Sequence, residues 1–176
     1  PEDVCILIRL HPFSDPDGKT AFDGLSRSFV FVPGRKDKYV ERVMGPEDEA
    51  HLARQIALSE CVVSLASTMT IDALTVEKPV VNTTFDPRPD IPFINSNRRF
   101  YQYNHFGDLV EIAKLPMANT PQQVVDFVLG ASKKPLSQQV DMPAFERWYV
   151  PPCSKDYPRH VHAVVREVLD RHQAAR

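Results

Sequence analysis

Residues 61–86, CVVSLASTMTIDALTVEKPVVNTTFD, constrain this chain more than any other stretch. An apolar strand over 61–65 meets a Ser-Thr turn at 66–68, then one compact helix over 69–77. Lys78-Pro79 stops that helix, since proline has no amide hydrogen and clashes with the preceding turn. A second strand begins at Val80-Val81 and ends in the polar run Asn82-Thr83-Thr84. The first amides of a helix lack backbone partners, so a hydroxyl-rich helix start fed by a strand is a ready anion site. That turn is the expected seat of a nucleotide diphosphate.

The rest of the chain is read around it. Residues 4–10, VCILIRL, form a continuous apolar run, the pattern of a strand buried on both faces. Pro12 forces His11 out of helical geometry and onto the loop beyond that strand's carboxyl end, where ligands of open α/β sheets gather. Residues 29–32, FVFV, give a second strand that breaks at Pro33-Gly34. Gly45-Pro46 and the acids Glu47, Asp48 and Glu49 start a helix to about residue 59, with Leu52, Ala53, Ile56 and Ala57 inward.

Residues 85–98 read as a long proline-rich connection, 99–106 as an aromatic cluster around His105, and 108–113 as a short apolar segment. Asn119-Thr120-Pro121 opens a helix that Gly130 closes, with Val124, Val125 and Val128 inward. Residues 133–152 read as irregular. A last helix starts at Tyr157-Pro158 with Val161, Val164, Val165, Val168 and Leu169 on one face.

Alternating strands and helices indicate an α/β layered domain with a mainly parallel sheet. The expected organisation is one Rossmann-like domain over 1–176, with a core over about 3–130 and a C-terminal helical extension over 131–176. The absence of an initiator methionine before Pro1 reads as a piece of something longer. A net charge of -2 gives no electrostatic reason to expect nucleic acid or an anionic membrane as partner. No apolar run approaches the length of a membrane span. Cys5, Cys61 and Cys153 have no CxxC spacing, which argues against a disulfide framework and fits a reducing compartment. His160 and His162 fall on different faces of a helix and make a poor metal pair.

A nucleotide diphosphate needs N–H and hydroxyl donors at its phosphates, a carboxylate for ribose hydroxyls, and a wall for the base. Ser67 and Thr68 supply hydroxyls, the amides of Thr68, Met69 and Thr70 supply N–H groups, and Asp72 supplies the carboxylate one turn, roughly 5 Å, further on. Residues 33–36, including Gly34, are placed to line the base, and Arg9 or His11 to add positive charge. The same residues also read as an ordinary helix start, a surface acid and a loop-packing histidine.

The combination RLHP after a strand, then VVSLASTMTIDALTVEKPVVNTTFD, resembles the C-terminal half of GT-B glycosyltransferases. Within them it is most similar to bacterial surface-polysaccharide transferases and more distantly to CDP-glycerol glycerophosphotransferases. The turn Leu65-Ala66-Ser67-Thr68 departs from the acid-Tyr-Ser-Ser turn of the latter, and Asp72 stands where many members carry Glu. The resemblance implies one half of a GT-B fold that binds a nucleotide-sugar donor without metal or cofactor. It implies His11 in an electrostatic role at the donor phosphates, Ser67 and Thr68 at the diphosphate, and Asp72 at the ribose.

It further implies that the N-terminal acceptor domain, with the base that activates the acceptor, is missing from this chain. The isolated chain would then bind donor and transfer little, in the cytoplasm or at the inner face of the membrane, with any peripheral membrane attachment through the missing part. Two alternatives stand beside this: a UDP-sugar 2-epimerase-like enzyme using Asp86 and His105, and a non-catalytic GT-B-derived interaction module.

Overall fold

The computed structural model describes residues 4–11, 20–36, 42–131 and 133–149; the expected final helix over 157–172 lies outside them. Its regular elements are β1 (Ile6–Arg9), β2 (Ser28–Phe31), α1 (Pro46–Leu58), β3 (Val62–Ser64), α2 (Met69–Thr75), β4 (Val80–Thr83), α3 (Asn104–Ala113), β5 (Met117–Ala118), α4 (Pro121–Ala131) and α5 (Met142–Tyr149). The chain is a mixed α/β protein in which every pairing between these strands is parallel.

The strands make two small sheets. β1 pairs with β2, Ile6 opposite Ser28 and Arg9 opposite Phe31. β4 lies at the centre of the other sheet, with Val80 opposite Val62, Asn82 opposite both Ser64 and Met117, and Thr83 opposite Ala118. β1 is not the strand buried on both faces that its apolar run predicts. Ile6 and Leu7 are about half exposed and Phe29 is 63% exposed, because α1 reaches only the Arg9–Phe31 end of this pair.

α1 starts where Gly45-Pro46 predicts it. The Asp48 carboxylate fixes the start by accepting the N–H groups of Gly45 at 3.0 Å and Gly34 at 2.9 Å. Of its four expected inward residues only Ile56 is buried and Leu52 half-buried; Ala53 and Ala57 are exposed. α4 opens with a reciprocal cap: the Gln123 N–H donates to the Thr120 hydroxyl, and the Gln123 side chain accepts the Asn119 N–H. The capping hydroxyl is thus that of Thr120 rather than the Asn119 side chain. Gly130 lies within the helix, which continues to Ala131, and Val125 faces outward.

The main core lies on one face of the β3–β4–β5 sheet. Val62 and Val80 meet Ala73 and Leu74 of α2, Phe106, Leu109 and Ala113 of α3, and Ile56 of α1. It runs beyond the expected limit at residue 130, because Val140 and Phe145 are buried in it. Phe145 belongs to α5, a helix inside the stretch expected to be irregular. The Asp141 carboxylate starts it by accepting the Ala144 N–H at 3.2 Å, and Lys114 pairs with that carboxylate at 3.1 Å. α3 likewise forms where only an aromatic cluster and a short apolar segment are expected.

Residues 85–98 are ordered by a single buried carboxylate. Asp86, with a side chain 5% exposed, accepts the Ser96 hydroxyl at 2.6 Å and the Asn97 N–H at 2.7 Å. Two 3₁₀ turns, Phe93–Asn95 and Asn97–Gln102, follow from that closure.

Candidate functional site

The carboxyl edge of β3–β4–β5 carries a dense set of polar groups. Ser64 ends β3 and its hydroxyl donates to the Leu65 carbonyl at 2.9 Å. Next to it the Tyr101 hydroxyl donates to the Thr83 carbonyl at 2.7 Å and closes the end of β4. Burial pushes the Tyr101 pKa far above its ordinary value, with the Ala66 backbone hydrogen bond opposing. Burial therefore favours the neutral phenol, the form that donates to Thr83. Thr84 adds a hydroxyl bonded to the Ala118 carbonyl at 3.2 Å and to the Asn119 side chain at 2.6 Å.

The Ser-Thr turn sits at this edge. Ser67 organises it: its hydroxyl accepts the Met69 N–H at 3.2 Å and its carbonyl accepts the Thr70 N–H at 3.0 Å. Two of the three amides expected to face a phosphate are thereby engaged within the turn. The bond from Met69 opens by rotation of the Ser67 side chain alone. Thr68 has helical backbone angles and its exposed hydroxyl makes no capping bond.

One turn on, Asp72 is exposed, and its carboxylate has no hydrogen-bond or ion-pair partner among the described residues. Desolvation by neighbouring groups nevertheless raises its pKa. Thr68 and Asp72 are four residues apart and share one face of α2. A bare carboxylate and a bare hydroxyl on one stripe can accept from one sugar ring and donate to an anion.

Behind this face a buried pair fixes α2 to the sheet. The Thr70 hydroxyl donates to the Asn82 side-chain oxygen at 2.9 Å, and neither residue is exposed to solvent. The Asn82 side-chain nitrogen has no partner. The sequence carried a signal for this pair, an Asn continuing an apolar strand and a Thr on the helix face opposite Asp72. Asn82, Thr70 and Tyr101 are the positioning residues that motif reading passes over.

The other expected residues lie on the β1–β2 sheet. Arg9 packs its guanidinium 4.9 Å over the Phe31 ring and donates to the Gln55 side chain at 2.9 Å and the Asp48 carbonyl at 3.2 Å. Desolvation lowers its pKa while Asp48 opposes that shift. Its charge is thus spent on the start of α1 rather than directed at the Ser-Thr turn. His11 is exposed beyond the end of β1.

Gly34 serves the same junction. Its φ of +78° favours glycine, and an added Cβ would lie 3.0 Å from the Val43 carbonyl oxygen. Its N–H goes to Asp48 and its carbonyl accepts from Arg42. The structure therefore groups Ser67, Thr68, Met69 and Asp72 at one turn, and Arg9 and Gly34 around Asp48.

At the far end of α2 a groove of about 270 Å³ opens between Leu74, Thr75, Glu77, Met142, Phe145 and Glu146. It is separate from the turn. Among the described residues no group of three or more His, Cys, Asp or Glu side chains is arranged to hold a metal ion, and no helix is long and apolar enough to cross a membrane. Asp86, the acid of the epimerase alternative, is engaged by Ser96 and Asn97, which hold its pKa below the usual carboxylate range. Comparison with family models, curated proteins and solved structures finds no match to this chain.

Proposed function

We propose that this chain is the nucleotide-sugar-binding half of a metal-independent glycosyltransferase acting in surface polysaccharide or glycan synthesis, as one Rossmann-like half of a GT-B fold. The observation that carries the reading is the unpaired Asp72 carboxylate, desolvated enough to raise its pKa, one turn from the free Thr68 hydroxyl at a parallel sheet's carboxyl edge. No hydrogen bond or ion pair of the described residues uses this carboxylate, which leaves it open to a ligand, and displaced pKa values cluster at sites where ligands bind. Ligands of open α/β sheets also collect at this edge.

In this reading the donor diphosphate lies against Ser67 and Thr68, with the Ser67 hydroxyl releasing the Met69 N–H to a phosphate oxygen. Asp72 accepts the ribose hydroxyls. His11, or a residue of the missing N-terminal domain or partner subunit, supplies the positive charge that Arg9 has committed to α1. The base that activates the acceptor comes from that missing domain, so this chain binds donor and transfers little.

Titration calorimetry with UDP, GDP, CDP and CMP tests this. Binding of one nucleotide at micromolar strength, weakened at least tenfold by Thr68→Ala and by Asp72→Ala, is the expected result; a charge-assisted hydrogen bond is worth about that much or more. Binding of none of the four refutes the reading and favours an interaction module.

A further inference from the structure

Phe93 and Ile94 stand side by side on one 3₁₀ turn, 50% and 67% exposed. Arginines flank them in the sequence, and Arg99 touches the turn itself. Residues 86–105 hold Arg88, Arg98 and Arg99 against Asp86 and Asp90, an excess of one positive charge in a chain whose net charge is -2. The side chains of Arg88 and Arg98 are 72% and 59% exposed, each within 4 Å of one carboxylate, at Asp90 and Asp86.

Arg99 joins the apolar tip to a tape of rings. Its guanidinium donates to the Ile94 carbonyl and lies 4.6 Å over Phe100. Phe100 meets Tyr103 edge-on at 5.9 Å, and Tyr103 stacks on His105 at 6.0 Å. The Arg99 Nε is buried and makes no hydrogen bond. Three prolines (Pro87, Pro89 and Pro92) and the buried Asp86 carboxylate stiffen the whole segment, so little order remains to be gained on docking.

We propose that this loop is a docking surface for an anionic lipid bilayer. Phe93 and Ile94 enter the headgroup–acyl boundary, the arginines meet headgroup phosphates, and Tyr103 and His105 lie at the interface. An apolar tip on a segment with an excess of arginine over acid, and with amphipathic rings next in the chain, matches that boundary in both polarity and charge. Each arginine near an anionic surface strengthens binding roughly fivefold, and the effect falls off within a Debye length. The inference rests on the chain's own loop and is independent of the nucleotide reading.

The test is co-sedimentation of the full chain with vesicles of phosphatidylcholine alone and of phosphatidylcholine with about a third phosphatidylglycerol, at about 0.1 M and about 1 M salt. The expected result is pelleting with the anionic vesicles at low salt, at least tenfold weaker without phosphatidylglycerol, and lost at high salt. Phe93→Ser/Ile94→Ser weakens it tenfold or more and Arg88→Gln roughly fivefold, with thermal midpoints unchanged. Binding that persists in Phe93→Ser/Ile94→Ser overturns the proposal, as does equal pelleting with both vesicle types. Pelleting with neither also overturns it and leaves the patch to a polypeptide partner.

Discussion

The buried Thr70–Asn82 pair gives the sharpest test of how the turn is held. Both side chains are fully buried and joined at 2.9 Å, while the Asn82 nitrogen is already unpartnered. Thr70→Val preserves shape but leaves the Asn82 amide buried with neither side satisfied. An unsatisfied buried polar group costs about 1–3 kcal/mol, more than the net value of the bond itself. We expect a loss of about 2 kcal/mol, which in a domain of this size lowers the thermal midpoint by about 4–8 °C.

Replacing both partners with apolar groups removes the orphan, so Thr70→Val/Asn82→Leu returns to within about 1 kcal/mol of the parent. Urea unfolding followed by circular dichroism gives both numbers, with equal m-values required for the comparison. A Thr70→Val variant as stable as the parent refutes the reasoning, as does a double variant that loses the sum of two penalties.

Other consequences follow from the same geometry. Gly34→Ala forces a Cβ into the left-handed region and against the Val43 carbonyl, and should cost about 1–2 kcal/mol in urea unfolding. Phe145→Ala empties the core beneath α2 and α3 and should cost about 3–5 kcal/mol, although it lies outside the expected core boundary. Asp48, Asp86 and Asp141 are held below the usual carboxylate range, chiefly by hydrogen bonds from Gly34, from Ser96 and from Lys114 respectively. Their stabilisation is therefore full above the unfolded carboxylate pKa of about 3.9 and is lost as pH falls through the lower folded values. Thermal midpoints should hold from neutrality to about pH 4 and drop below it, and Asp86→Asn should remove part of that drop.

The legible parts of the fold are those whose local chemistry leaves one outcome. Gly45-Pro46 with three acids after it can only start a helix, and α1 begins there. The strand–turn–helix–strand pattern of residues 61–83 appears as β3, α2 and β4 in parallel register. α3 and α5 were hidden for different reasons. The buried stripe at Phe106, Leu109 and Ala113 runs through an aromatic-rich segment containing Gly107, whose interior helix propensity is poor and is outweighed by core contact. α5 is short, and its start signal, Asp141 with Pro143 in the first turn, is passed over in a stretch that reads as irregular.

Burial was less legible than secondary structure. An apolar strand such as β1 implies a covered sheet, yet what covers it is a property of elements far away in the chain. The candidate site divides along the same line. The Ser67–Asp72 turn is contiguous in sequence and appears as one group, whereas Arg9 and Gly34 were read by their proximity to a sheet edge. Their actual partner, Asp48, comes from the start of the next helix. Arg9 found a neighbouring ring and carbonyl before it could reach any phosphate.

The central claim is that Asp72 takes ribose hydroxyls, and one double comparison addresses it directly. Affinities of the preferred nucleoside diphosphate and of its 2′,3′-dideoxy analogue are measured by calorimetry on the parent chain and on Asp72→Ala. Hydrogen bonds to a charged group contribute about 1.5–3 kcal/mol, so the parent should favour the ribonucleotide by roughly tenfold or more. In Asp72→Ala the two ligands should bind alike. An undiminished preference in Asp72→Ala, or none in the parent, would contradict the account.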